Sequence, residues 1–228
     1  MGDEKMNITY IHHSCFLVET ERFYLIFDYF KGELPNLNVD KTIYVFSSHS
    51  HDDHYNKDIF DILKAKGMKS IKAVLSDDIS ISDFVETTLV SPNYKYNLDF
   101  NLKCTTFKST DLGVAFLIDV DDQIIYHAGD LNDWVWDEES EAYNTQMTID
   151  YQKQIRLLKE ELNNRHIDVA FVVLDPRQEA HYARGMTYFL ENIPTKIVYP
   201  MHYWEDPTII DRFINDYPQY LHQLYKTE

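Results

Sequence analysis

Short runs of apolar and aromatic residues, separated by charged or turn-forming ones, dominate the start of the chain, at 8–11, 15–18, 23–27 and 43–46. Runs of this length predict β-strands. The period then changes. Across 57–66 the apolar residues Ile59, Phe60, Ile62 and Leu63 fall on one helical stripe, and Gly67 follows as a stop signal. Further strands are predicted at 72–75, 102–107, 114–120, 124–126, 169–174 and 196–199. Helices come between the later ones: 148–164, with Ile155, Leu158 and Leu162 at helical spacing, then 182–190, then 207–215 with Pro207 at its start. Strands first, then strands alternating with helices, predict an α/β (α+β) chain whose sheets are covered by helices within one domain, 1–228. Neither an internal repeat nor a low-complexity tract nor a linker interrupts the pattern.

The length, 228 residues, suits one well-buried domain, and 44% hydrophobic content supplies its core. Charge narrows the choice of partners. With 38 acidic against 21 basic side chains, the net charge of −17 argues against sequence-independent binding to nucleic acid or anionic lipid, which needs clustered Lys and Arg. A small-molecule substrate is the expected partner, and bound cations would offset part of the excess. Cys15 and Cys104 are too few for a disulfide framework and are compatible with a reducing compartment. The charged start, Met1-Gly2-Asp3-Glu4-Lys5, leads only into short apolar runs, so neither a signal peptide nor a membrane span is visible. Residue 6 is Met, not the Ser or Thr of a myristoylation signal. The expectation is a cytoplasmic protein, with no pattern that fixes an oligomeric state.

Chemistry gathers after the predicted strands. His49-Ser50-His51-Asp52-Asp53-His54, directly after the apolar run Ile43-Tyr44-Val45-Phe46, packs three imidazoles and two carboxylates into six residues. Neutral imidazole and carboxylate suit zinc and similar divalent ions, and a rigid strand feeding a tight loop can aim several such groups at one place. Three more polar clusters follow strands: His127-Ala128-Gly129-Asp130, Asp175-Pro176-Arg177 and His202-Tyr203-Trp204. Loops at the carboxyl ends of strands are where α/β folds collect ligand groups. A lone His202 or His127 reads as structural; the first motif reverses that reading for His202.

Through His49-Ser50-His51-Asp52-Asp53-His54, Gly129-Asp130 and the late His202, the sequence resembles the metallo-β-lactamase-fold superfamily over nearly its whole length. It is most similar to the branch of metal-dependent hydrolases that resembles ascorbate-6-phosphate lactonase, through His13-Ser14-Cys15-Phe16, Asp28, Tyr126-His127-Ala128-Gly129-Asp130 and Pro200-Met201-His202-Tyr203. The resemblance implies a four-layer αβ/βα sandwich with a two-metal cleft at one edge. It also implies His49 and His51 on the first metal, Asp53, His54 and His202 on the second, and Asp130 bridging both, while Asp52 is no ligand. Asp53, His54, Asp130 and His202 are therefore expected to converge on one metal. Zinc is the default for nitrogen-rich sites, and manganese or iron fit the same ligands.

Two departures bear on this. The superfamily usually takes a further first-site histidine from the segment before the Gly-Asp motif, which here reads Phe107-Lys108-Ser109-Thr110-Asp111 without one. Asp111, Ser109, a water or a shifted His127 are the candidates to fill the gap, and the first site is expected to hold its metal less firmly. Asp28-Tyr29 stands where many relatives have Asp-Pro, which alters the turn more than the role implied for Asp28, an outer acceptor orienting a ligand histidine.

The function this implies is hydrolysis of a small-molecule ester, lactone or phosphoester by a metal-activated hydroxide. Asp130 would orient the hydroxide, His127 would protonate the leaving group, and His13, at a position the branch shares, would orient substrate or support a ligand. Arg177 and Lys108 are candidates for an anionic substrate group, with surface salt bridges as the alternative. Arg184 is weighed in the same way. Trp204, with Trp134 and Trp136, is a candidate pocket wall. Cys15 reads as a small buried thiol rather than a nucleophile. Competing readings are a phosphodiesterase for a small phosphorylated compound and a metal- or ligand-binding sensor without turnover. His166, His181 and His222 read as surface residues.

Overall fold

The computed structural model describes residues 6–80 and 85–226. The chain forms two compact units that divide after Ser91, and each is organised on one six-stranded sheet.

In the first unit β1 (Asn7–His12), β2 (Cys15–Glu19), β3 (Phe23–Phe27), β4 (Thr42–Ser47), β5 (Ser70–Ser76) and β6 (Glu86–Val90) lie side by side in chain order. The first three form an antiparallel meander, and β3 to β6 are parallel. His13 and Ser14 make the β1–β2 turn, where His13 takes a left-handed φ of 54°. The β2, β3 and β4 residues are buried with few exceptions, as continuous apolar strands require. Helix α1 (Asp58–Ala65) places Ile59, Phe60 and Leu63 in the same core as Leu17, Ile26, Val45 and Leu75, the stripe predicted from spacing.

In the second unit the order is β12 (Thr195–Met201), β11 (Ile167–Val173), β10 (Gln123–His127), β9 (Val114–Val120), β8 (Leu102–Lys108) and β7 (Lys95–Asp99). Here β7 to β10 are antiparallel and β10 to β12 parallel. Pro200 lies in β12, an edge strand, where the missing amide costs no ladder bond within the sheet. Helix α2 (Glu141–Leu162) buries Tyr151, Ile155, Leu158 and Leu162; α3 (Arg184–Asn192) and α4 (Thr208–Asp216) bury Phe189 and Phe213. Tyr126 of β10 stacks on Phe189 with ring centroids 5.4 Å apart.

Three differences from the sequence pattern have physical causes. Strands β6 and β7 carry few buried apolar residues and end their sheets, so no apolar run announces them. Helix α2 begins at Glu141, seven residues before the predicted start at 148, because Ser140 caps it by accepting from the Tyr143 amide while its first turns stay exposed. A 3-10 turn, Pro176–His181, precedes α3, which starts at Arg184.

Candidate metal centre

In the first unit the parallel pairing of β3 with β4 sets Phe27 opposite Phe46, so the residues just beyond both strands meet. Asp28, fully buried, accepts from the Ser48 amide at 2.7 Å, from Ser48 Oγ at 2.7 Å and from His54 Nδ1 at 2.8 Å. Ser48 Oγ, having donated to Asp28, accepts from His49 Nδ1 at 2.9 Å. Both rings therefore direct Nδ1 at an oxygen and turn Nε2 the other way. The loop itself is folded by the His54 and Tyr55 amides donating to His51 C=O and by the Ser50 amide donating to Asp78.

Two groups of potential ligand atoms result. His49 Nε2 is 3.0 Å from His51 Nδ1. His13 Nε2 and His54 Nε2 are 3.5 and 3.8 Å from Asp53 Oδ2. Two ligands on one tetrahedral zinc, with bonds of about 2.0–2.1 Å, are about 3.3 Å apart, so these spacings suit a shared cation. His13 is held by its own turn, where its amide donates to Tyr10 Oη at 2.9 Å. Asp52, in contrast, is exposed. Cys15, next to this cluster in sequence, is fully buried; desolvation first, and the Asp28 carboxylate second, push its thiol pKa well up. That environment suppresses a thiolate nucleophile.

The second unit repeats the device at the ends of β10, β11 and β12. Val173 is opposite Met201, which puts Asp175 and His202 beyond adjacent strand ends. His202, buried and at a left-handed φ of 64°, donates Nδ1–H to Asp175 Oδ2 at 3.0 Å and turns Nε2 toward Asp130 Oδ1, 3.3 Å away. Burial by itself would raise the Asp175 carboxyl, but hydrogen bonds from His202 and Arg177 outweigh it and hold the group at about 2. Arg177 donates Nε–H and Nη2–H to that carboxylate and lays its guanidinium over the Trp204 ring, 4.7 Å from the centroid.

Asp130 sits on a tightly braced loop. Its carbonyl accepts from Trp134 Nε1 at 2.8 Å; Thr110 Oγ1 donates to the Asn132 carbonyl at 2.6 Å and accepts from the Asn132 amide at 3.0 Å. Asp133 is bound by Arg184 and Thr148, and its carbonyl by Gln178 Nε2. A carboxylate oxygen of Asp111 lies within 4.8 Å of one from Asp130. His127 is fully buried and accepts the Gly129 amide on Nδ1 at 3.1 Å, which leaves Nε2 as the nitrogen that carries its proton. Trp134 and Trp204 both meet the His202 ring edge-on, at 5.6 and 5.8 Å.

The sequence-chosen residues thus fall into three sets. His13, Asp53 and His54 are together, His49 and His51 are together, and Asp111, Asp130 and His202 gather in the other unit with Trp204 and Arg177 beside them. Asp28, expected as an outer acceptor, is hydrogen-bonded to His54 Nδ1. Lys108 ends β8 with its side chain exposed, and Arg184 follows the salt-bridge alternative through Asp133. His181 is half-buried against Asp137 rather than a plain surface residue. Asp175, Ser48 and Thr110 escaped the site reading. Asp175 carried a signal, its place in a strand-end cluster; Ser48 and Thr110 act by local bonds that only register reveals.

An open cleft of about 580 Å³ in the second unit is lined by Val135, Asp137, Thr148, Ile149, His181 and Arg184 among others. Within it His181 pairs with Asp137, and Arg184 and Thr148 bind Asp133.

Imidazoles oriented by oxygen acceptors, in a loop that joins strand to helix, define a class of metal-binding protein. The family model described as the beta-lactamase superfamily domain matches residues 7–146, and the chain belongs to that superfamily, in its metallo-β-lactamase form. A metal-dependent hydrolase from Opitutus terrae is 30% identical over 146 residues, which takes in 55% of this chain and 63% of that relative's length. Among solved structures, Igni18, a metallo hydrolase from Ignicoccus hospitalis, is similar with a TM-score of 0.65 at 17% identity, covering 98% of this chain and 95% of its own. CmlA, a diiron beta-hydroxylase from Streptomyces venezuelae, has a TM-score of 0.60 at 10% identity, covering 98% of this chain and 53% of its own. These likenesses show the fold, the one expected from the sequence. Among the described residues no helix is long and apolar enough to cross a membrane.

Proposed function

We propose that this chain is a metal-dependent hydrolase acting on an ester, lactone or phosphoester bond of a small molecule, with His49, His51, Asp53, His54, Asp130 and His202 as metal ligands. One observation carries the reading: three buried imidazoles, His49, His54 and His202, each have Nδ1 hydrogen-bonded to an oxygen and so direct Nε2 away from it as the ligating nitrogen. A divalent ion uses the neutral ring in this orientation, and carboxylates of Asp53 and Asp130 lie beside two of the three. When bound, a pair of divalent ions supplies a hydroxide at neutral pH and polarises the oxygen of the bond attacked.

The chain's own residues do the rest. Asp130, braced by Trp134 Nε1 through its carbonyl, keeps its carboxylate in one orientation for the attacking oxygen and its proton. His127 holds a proton on Nε2, the one nitrogen its turn leaves for a leaving group. Arg177, fixed by Asp175 and Trp204, offers a half-exposed cation beside the His202 cluster for an anionic substrate group. Trp204 forms an apolar wall next to it. Zinc is the metal we favour for so many nitrogens, with manganese or iron as alternatives. The two cysteines are buried and unbridged, which supports a reducing, cytoplasmic setting, and the net charge of −17 favours a small-molecule substrate over nucleic acid or membrane.

The test is a panel of lactones, carboxyl esters and phosphodiesters, assayed with the zinc, manganese and iron forms of the protein and of Asp130→Asn. Turnover of one class, lost in Asp130→Asn, supports the reading and selects the bond. The absence of a histidine from 107–111 favours a second reading, a metal-binding sensor. Tight metal binding without turnover on any substrate selects it.

A further inference from the structure

The loop that carries His49 and His51 follows β4, which lies between β3 and β5, and it is tied to residues just beyond the ends of both neighbours. On the β3 side Asp28 accepts from the Ser48 amide and hydroxyl. On the β5 side Asp78 Oδ2 accepts from the Ser50 amide at 2.8 Å. We propose that Asp78 is a positioning residue for the pair His49 and His51, acting through the Ser50 backbone, an inference that rests on the metal-centre reading above.

Ser48 and Ser50 flank His49, so the backbone on both sides of that imidazole is held by a carboxylate. Ser50 also directly precedes His51. Metal bonds of about 2.0–2.1 Å tolerate errors of only about 0.2 Å, and a side chain is aimed no better than its own backbone is placed. His49 Nε2 and His51 Nδ1 are 3.0 Å apart, a spacing that a small shift of Ser50 would change. His49 is fully buried and packing helps to hold it, whereas His51 is exposed and depends more on its backbone.

Asp78 is itself firmly seated. β5 pairs with β6 as far as Ser76 opposite Val90, and the Asp77 amide then donates to the Val90 carbonyl at 3.0 Å. Ser91 Oγ donates to Asp77 Oδ2 at 2.5 Å. On the other side of Asp78 the Ile79 amide donates to the Ser76 carbonyl at 3.0 Å, and the Ile79 side chain is buried in the core of this unit. Asp78 Oδ1 is shut off from solvent. The Ser50 amide thus meets a carboxylate on a turn fixed from both sides, and an amide bond to a carboxylate is among the stronger hydrogen bonds.

The test is made on the full-length protein. Exchange of the Ser50 amide hydrogen is read by NMR in the metal-free state. Cobalt(II) alone is then added as probe, with the number of ions and their affinities read by titration and the ligand geometry by the visible d–d spectrum. The wild type is expected to bind two ions, and His51→Ala marks the one that belongs to this pair. Asp78→Ala should speed exchange at Ser50, weaken the marked ion about 10- to 100-fold, shift its d–d band and leave the other ion unchanged. Asp78→Asn keeps an oxygen acceptor in the same place and should retain the protection, the band and most of the affinity. Asp78→Glu keeps the charge but moves the acceptor, and should shift the band. A general loss of stability would not produce that split, and the Asn and Glu variants carry the test if Asp78→Ala does not fold. Unchanged Ser50 exchange in Asp78→Ala overturns the proposal, as do wild-type affinities and spectrum, equal weakening of both ions, or Asp78→Asn as weak as Asp78→Ala. A wild type that binds no cobalt, or binding unchanged in both His51→Ala and His54→Ala, overturns the metal-centre reading itself, while Ser50 exchange still reports whether Asp78 holds the loop.

Discussion

The carboxylate of Asp28 lies 2.8 Å from Nδ1 of His54, and both side chains are fully buried. A charged acceptor at that nitrogen fixes the tautomer, holds the ring and raises the basicity of Nε2. Asp28→Asn keeps the shape but removes the charge, and its amide group no longer insists on the Nδ1 proton. Metal affinity is expected to fall about 10- to 100-fold, measured by competition with a chromophoric chelator on protein whose far-UV spectrum is unchanged. Wild-type affinity in a folded Asp28→Asn protein would remove the orienting role.

Gly185 is the point at which α3 touches the Asp130 loop. A Cβ there would stand 1.8 Å from Asn132 Oδ1 and 3.2 Å from the Asp133 amide nitrogen. Asn132 has little room to yield, because its Nδ2 donates to Gln178 and its backbone is strapped to Thr110. Gly185→Ala is expected to cost about 1–3 kcal/mol, the usual range for overpacking, and to lower the urea midpoint without changing the slope. An unchanged midpoint would mean that the loop shifts freely, and with it Asp130.

The two cysteines provide a check on the nucleophile question. Cys15 and Cys104 are both buried, and desolvation raises both thiols. Neither should react with a disulfide reagent in the native protein, whereas both should titrate in denaturant. Cys15→Ala should retain hydrolysis. Rapid native modification of Cys15 that abolishes turnover would reopen its role.

How much of this was readable beforehand depends on the range of the interaction concerned. The strands β2, β3, β4, β9 and β11 are near-continuous buried runs, and such runs are visible as letters. His49, His51, Asp53, His54, Asp130 and His202 stand out as candidates for the same reason, because residue type limits their chemistry. Asp175 was seen only as part of a cluster, since its pairing with His202 depends on β11 and β12 lying in register. Ser48 and Thr110 are common residues whose roles come from hydrogen bonds to Asp28 and Asn132, about twenty residues away in sequence, and no spacing rule marks them. Strands β6 and β7 stayed hidden because sheet-end strands need little apolar surface.

Arg177 and Asp175 give the pH dependence. The Asp175 carboxyl is held at about 2, below its ordinary 3.8, so the folded state binds its proton less readily than the unfolded state. Its contribution to stability is therefore present above about pH 4 and is lost as pH falls toward about 2, and a shift of this size is worth on the order of 2 kcal/mol. Arg177 donates three of the hydrogen bonds that hold it there, two from Nε and one from Nη2. Arg177→Met keeps an apolar stem against Trp204 and removes the donors. In the metal-free protein, urea unfolding should find Arg177→Met less stable than the wild type at about pH 6, with the gap closing as pH falls toward about 2. A gap that stays constant across that window would show that Arg177 stabilises the loop by packing on Trp204, not by holding the Asp175 charge.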